Sequence, residues 1–270
     1  MEQSKGTAGR EDAEQWTTAG VRDCWLGGSN HIAAEHELAD RILVGTPQLP
    51  YIVRVYRALL GRVVRYLIGV GVRQFLDLGS GLPTQGNVHE IAQATGTECH
   101  VIYVDNNPQV AVRSQALLTG KDRAVMICAD LRQPEHVLYA AGQTGLLDLG
   151  TPLAVLLIDI LHHIPEAENP ADFVEAYIDA LPRDSYMAIA HTGDEEVDLE
   201  TGFVMFRQLY RPLVPPLTFR DPMQIADLLK GLNVVEPGIV SIPLWRPELD
   251  DDLGSVPERF PAWCGIGRKL

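Results

Sequence analysis

"QFLDLGSGLPT", residues 74–84, is the stretch on which the fold turns. Its first half is apolar around Asp77, and its second half opens with Gly79-Ser80-Gly81. An apolar run of this length stopping at glycines reads as a buried strand whose backbone then approaches something closely. That something is either another part of the protein or a ligand.

The same form recurs outward from there. "CHVIYVDNN" (99–107) ends at Asp105, "AVMICADL" (124–131) at Asp130, "LAVLLIDILHHI" (153–164) near Asp159 and "SYMAIAHTG" (185–193) near His191. Helical patterns lie between them at 88–95, 108–118, 134–142 and 171–181. Strands separated by helices predict a parallel sheet covered on both faces. The continuous apolar run 153–158 predicts its centre. "NVVEPGIVSIPLW" (233–245) and "WCGIGRKL" (263–270) would close it as an edge hairpin, giving a mostly parallel seven-stranded sheet. Further helices are expected at 201–210 and 222–232.

Upstream, "YIVRVYRALLGRVVRYLIGVGV" (51–72) has apolar residues three and four apart, so a long amphipathic helix is expected. Ile32, Leu38, Ile42 and Leu43 repeat at helical spacing after Gly27-Gly28. The predicted organisation is a polar, mobile N-terminus over 1–16, a helical cap or lid over 17–70, and the sheet domain over 71–270.

Four successive strands end in an acid: Asp77, Asp105, Asp130 and Asp159. Ligands of open α/β sheets bind outside the carboxyl ends of the strands. One such acid says little, because Asp is common in turns and at helix N-caps; the series says more. A dinucleotide fingerprint, G-x-G-x-x-G, would need glycine at 84, where the chain has Thr84 behind Pro83. That argues against a nicotinamide cofactor. Asp-x-Gly-x-Gly suits a ligand with ribose and amino-acid groups and no phosphate; a plain strand-to-helix turn is the other reading.

The combined motifs resemble the class I S-adenosylmethionine-dependent methyltransferases, and more closely the actinobacterial DUF574 family of S-adenosyl methyltransferases. The resemblance is carried by "DCWLGGSNHIAAE" (23–35), "RQFLDLGSGLPTQGNVHEIAQ" (73–93), "VIYVDNNPQV" (101–110), "CADLRQPE" (128–135), "LLIDILHHIPEAENP" (156–170), "VEPGIVSIPLWRP" (235–247) and the terminal "GIGRKL". It implies a Rossmann-like α/β fold and S-adenosyl-L-methionine as cofactor. Gly79 and Gly81 would let the methionine part lie along the loop, with Asp77 on its amino group. Asp105 would take the ribose hydroxyls, and Asn106 would border the adenine pocket. Asp130 would accept from the adenine amine, with Leu131 against the ring. Asp159 and Ile160 would sit by the sulfonium. Asp23, Trp25 and the Gly27-Gly28-Ser29-Asn30 turn would lie over the cofactor, with Gly28 and Asn30 in contact. Family members often carry Lys-Asp where this chain has Ser29 and Asn30, and His-Phe where it has His162-His163.

The composition narrows the acceptor. The formal net charge of −14 argues against a nucleic-acid partner, because phosphate binding needs a basic surface. Cys24, Cys99, Cys128 and Cys264 are scattered without a CxxC, which suits neither a disulfide framework nor a zinc site. Metal assistance is not expected, since "AIAHTGDEE" offers no Asp-Asn pair. The chain reads as cytoplasmic and without a membrane span, and a homodimer through the N-terminal helices is left open. For a general base, histidine has the natural pKa: His162 and His191 rank first, His163 third, with Glu195 and Glu35 as carboxylate alternatives. The aromatic spacing of Tyr51, Tyr56, Phe203, Phe206 and Tyr210 reads as core. The expected function is methyl transfer to an O, N or C atom of a small molecule in specialised metabolism. The alternative is a regulatory or structural protein that binds the cofactor without methyl transfer.

Overall fold

The computed structural model describes residues 16–193 and 217–270. The calls at 1–15, Glu195, the helix at 201–210 and its aromatics Phe203, Phe206 and Tyr210 lie outside the described residues.

The quoted stretch forms β1 (Gln74–Leu78). Four more strands run parallel to it: β2 (His100–Asp105) and β4 (Ala154–Ile158) beside it, β3 (Ala124–Cys128) beyond β2 and β5 (Tyr186–Thr192) beyond β4. β6 (Asn233–Val234) and β7 (Val240–Ser241) are two short pieces that both pair antiparallel with β8 (Ala262–Arg268), which is itself antiparallel to β5. The order is β3-β2-β1-β4-β5-β8-β6, with β7 beside β8. The seventh position is therefore one interrupted edge strand. β4 takes the middle position, as its unbroken apolar run predicts.

Side chains alternate across the sheet because strands have a period of two. Phe75, Val101, Tyr103, Leu156 and Ala188 face one core, with α3 (Leu49–Gly69), α4 (Val88–Ala94) and α5 (Pro108–Leu117). Leu76, Ile102, Val155, Leu157 and Ile189 face the other, with α6 (Pro134–Gln143), α7 (Pro170–Ala180) and α8 (Pro222–Leu228). Each fully buried aliphatic side chain here contributes about 1.5–3 kcal/mol of transfer free energy. The long helix at 51–72 is thus part of a covering layer, starting at Leu49 with Pro50 in its first turn. A third cluster joins α1 (Thr18–Trp25) and α2 (Ala33–Leu43) to the start of α3 through Val21, Trp25, Leu38, Ile42 and Val53. Helix α1 was not anticipated. Only eight residues long, it is capped by Thr17, whose Oγ1 accepts from the Gly20 N–H at 3.0 Å.

Two strands stop earlier than their apolar runs. β3 ends at Cys128, where the Ala129 N–H makes the last bond of its ladder, to the Asp105 carbonyl. β4 ends at Ile158: Asp159 is left-handed at φ 60, and Leu161–His163 form a 3₁₀ turn. No helix among the described residues is long and apolar enough to cross a membrane. All four cysteines are free.

Arg62 ties α3 to the C-terminal segment. It is buried, donating from Nε to the Trp245 carbonyl at 2.9 Å, from Nη2 to the Ile242 carbonyl at 2.7 Å, and from Nη1 to Asp251 at 2.6 Å. Arg62→Ala leaves two buried carbonyls and a half-buried carboxylate without their donor. A loss of about 3 kcal/mol in unfolding free energy is expected, read by denaturant titration.

Candidate functional site

A cavity of about 650 Å³ opens at the carboxyl edge of β1, β2, β3 and β4, with α1 on its other side. That volume is within the usual range for small-molecule sites.

The loop after β1 is pinned to β2, where Gly79 and Ser80 both donate to the Val104 carbonyl, at 2.8 and 3.1 Å. Gly79 and Gly81 have φ of 70° and 64°, a conformation that favours glycine. A Cβ on Gly79 would fall 2.2 Å from Ile160 Cγ1, and one on Gly81 would fall 3.3 Å from Ala19 Cβ. The close approach posed by the sequence is thus to protein, Ile160 after β4 and Ala19 of α1. Both glycines also line the cavity.

All four strand-end acids line it too, each in a different environment. Burial pushes the Asp77 carboxyl up to about 7, against the pull of the Arg57 guanidinium. Burial also raises Asp105, although its oxygens accept from Asn107 N–H at 2.9 Å and Gly81 N–H at 3.1 Å. A carboxylate has about four acceptor sites, so Asp105 keeps capacity for a vicinal diol. Asp130 is occupied: it accepts from the Arg132 N–H and Nε, both at 2.9 Å, and from Nη2 at 2.5 Å. That guanidinium holds the Asp130 carboxyl below the ordinary range and also pairs with Glu168. Asp159 pairs with Arg22 of α1.

Asn106, Leu131 and Ile160 complete the lining candidates that the sequence named. Gly28 and Asn30 do not line the cavity. Asp23 turns the other way from Arg22, accepting the Asn30 N–H at 2.8 Å, while Gly28 packs where a Cβ would strike its carboxylate. The part of α1 that borders the cavity is Thr18, Ala19 and Arg22, preceded by Trp16 and Thr17.

Of the three ranked histidines, only His163 borders the cavity. Both His191 nitrogens are engaged: Nδ1 donates to the Thr192 carbonyl at 2.7 Å and Nε2 accepts from Arg220 at 2.7 Å. Burial lowers its pKa to about 4. His162 is buried beneath the same turn, with Nδ1 3.5 Å from Asp159 Oδ1, and burial lowers it far below the ordinary value. Arg220 organises this corner. Itself buried, it donates to the Leu161 carbonyl at 2.9 Å, the Ile164 carbonyl at 2.9 Å and Glu166 at 2.7 Å.

Sequence reading missed Arg22 and Arg57, which also line the cavity; Tyr56 is core, as its spacing predicts, and lines the cavity as well. Arg57 carried a signal: it falls four residues after Val53 and three before Leu60, on the apolar stripe of α3.

A family model described as S-adenosyl methyltransferase matches residues 4–270. The chain belongs to the S-adenosyl methyltransferase family. A solved DUF574 family protein from Streptomyces avermitilis MA-4680 is 32% identical over 96% of this chain and 99% of that one, with a TM-score of 0.85. A relative from Thermobifida fusca YX is 33% identical over 96% of both chains, with a TM-score of 0.84. The plantazolicin methyltransferase BamL, solved with S-adenosylhomocysteine, shares only 12% identity over 94% of this chain and 96% of that one. Its TM-score of 0.52 marks a common fold. A comparison with curated proteins found no match. The protein is a methyltransferase of the DUF574 family that uses S-adenosyl-L-methionine.

The cavity fits that cofactor. Asp77 would meet its ammonium, Arg57 its carboxylate and Asp105 its ribose diol, and Val104, Leu131 and Ile158 offer apolar lining for its base. Asp105→Ala would remove two charge-assisted hydrogen bonds to the ribose of about 1.5–3 kcal/mol each, so S-adenosylhomocysteine should bind about 10²–10⁴-fold more weakly by calorimetry. Undiminished binding would place the ribose elsewhere.

Proposed function

We propose that the protein methylates a small-molecule acceptor in specialised metabolism, in the cytoplasm, with His163 as the general base. The observation that carries this reading is the position of His163, on the cavity wall where Asp159, Tyr56 and Arg22 also meet it. Helices α1 and α2 act as its cap, with α1 as roof and α3 part of the sheet's own covering layer, and the net charge of −14 disfavours a polyanionic acceptor.

Bound S-adenosylmethionine supplies an electrophilic methyl group on a sulfonium. The chain's own residues do the rest. Arg22 neutralises Asp159 at the acceptor end. Tyr56 is fixed by its hydrogen bond to Thr192 Oγ1 at 2.9 Å and is held protonated by burial, so it offers an orienting phenol. Burial lowers the His163 pKa, which leaves its imidazole neutral at physiological pH and ready to accept the proton that the acceptor loses. Holding the acceptor in line, rather than base strength, supplies much of the rate.

Because a base works only when neutral, the rate should be flat above neutrality. It should fall as the pH drops through a midpoint below the ordinary histidine value of 6.5. His163→Ala is expected to lower kcat about 10²–10⁴-fold while S-adenosylhomocysteine still binds. An unchanged kcat and pH profile in that variant would exclude His163 as the base.

A further inference from the structure

Away from the cavity, the junction of α1 and α2 gathers three side chains with metal-binding chemistry. Cys24 is in the last turn of α1, His31 in the connecting turn, and His36 in α2. One ligand atom from each lies within 4.8 Å of the other two. None of the three borders the cavity.

We propose that Cys24, His31 and His36 form a site for a zinc-type divalent cation that clamps α1 to α2. Three features of the geometry carry this. First, His31 Nε2 and His36 Nδ1 are 3.3 Å apart. A tetrahedral ion holding two nitrogens at about 2.0–2.1 Å sets them about 3.3–3.4 Å apart. Second, the outward nitrogen of each ring faces a carboxylate: His31 Nδ1 lies 3.0 Å from Asp23 Oδ2, and His36 Nε2 lies 3.7 Å from Asp40 Oδ2. Metal-ligating histidines almost always carry such a partner, which fixes the tautomer and raises ligand basicity. Asp23 is itself buried and placed by the Asn30 N–H, so the His31 ring is held with its Nε2 lone pair turned inward.

Third, the donor set is selective. One thiolate with two imidazoles suits zinc, and Co²⁺ as its spectroscopic stand-in, over calcium or magnesium, which prefer oxygen. Three protein ligands leave the fourth position for water. The Cys24 thiol now donates to the Gly20 carbonyl at 3.4 Å. On coordination its proton goes to solvent, the sulfur lone pair goes to the ion, and the His36 proton moves to Nε2, facing Asp40. A clamp here acts two residues from Arg22, the roof side chain that reaches Asp159.

The test is titration of the full chain with Co²⁺, without cofactor. One equivalent should give the visible bands of tetrahedral cobalt and a thiolate-to-cobalt charge-transfer band in the near ultraviolet, both displaced by Zn²⁺. Cys24→Ser should abolish the charge-transfer band, while Cys128→Ser, at an exposed cysteine, should keep it. Asp40→Asn, at an exposed position that leaves folding intact, should weaken Co²⁺ affinity about tenfold. Absence of the bands in the intact protein overturns the proposal. So does their persistence in Cys24→Ser, or unchanged affinity in Asp40→Asn. Circular dichroism melting of each variant confirms that a lost band reports a lost ligand.

Discussion

The roof of the active site is held in place by one buried carboxylate. Glu35 of α2 has no exposed surface, yet it accepts from the Thr17 N–H at 3.0 Å, Thr17 Oγ1 at 2.5 Å, the Ile32 N–H at 2.8 Å, and Arg113 Nη1 and Nη2 at 2.8 and 3.0 Å. It thereby joins the cap of α1, the start of α2 and the flank of α5. Gly20 is glycine because a Cβ there would lie 1.8 Å from the Glu35 carboxyl carbon. Burial alone would raise this carboxyl; the bonds from Arg113 and Thr17 outweigh it and hold it below the ordinary glutamate range. Its ionised form therefore stabilises the fold above that range, and the contribution is lost as the pH falls through the lowered pKa. Without an ionised Glu35, the tie from α5 to α1 would run only through the Arg113 bond to the Asn30 carbonyl and the Asn30 N–H bond to Asp23, among the described residues.

Beneath that roof, the sheet delivers one residue type to four environments. Parallel pairing sets Asp77, Asp105, Asp130 and Asp159 at a single edge. Asp77 is raised by desolvation, Asp105 is raised but bonded by backbone amides, Asp130 is held low by Arg132, and Asp159 is bridged to Arg22. The Arg132 bridge continues to Glu168, so Asp130 lines the cavity with a guanidinium at its side. Local partners, rather than strand position, separate the four.

Much of this was legible in the chain. Apolar runs ending in acids pointed to parallel strands, the central β4 and the cavity edge, because burial on both faces leaves a continuous apolar signal. What was not legible came from contacts distant in sequence. Arg22 reaches Asp159 and Arg113 reaches Glu35 with no local pattern to announce either. Helix α1 is short, and its apolar residues Val21 and Trp25 show their role only against α2 and α3. The histidines illustrate the same limit. His162, His163 and His191 all fall near strand ends, but the left-handed Asp159 and the Arg220 bonds to Leu161 and Ile164 decide which ring reaches the cavity.

The α1–α2 pair is tied internally by Glu35–Thr17 and Asp23–Asn30, and to the sheet body by two arginines of unequal weight. Arg22 is a third exposed, so its pair with Asp159 is worth about 1 kcal/mol or less. Arg113 meets a carboxylate with no exposed surface, and separating that pair strands a buried charge at a cost of about 3–5 kcal/mol. The weaker bond lies over the acceptor end and the stronger one behind the roof. Breaking the Arg22 pair alone would therefore leave α1 anchored at Thr17 through Glu35 and Arg113.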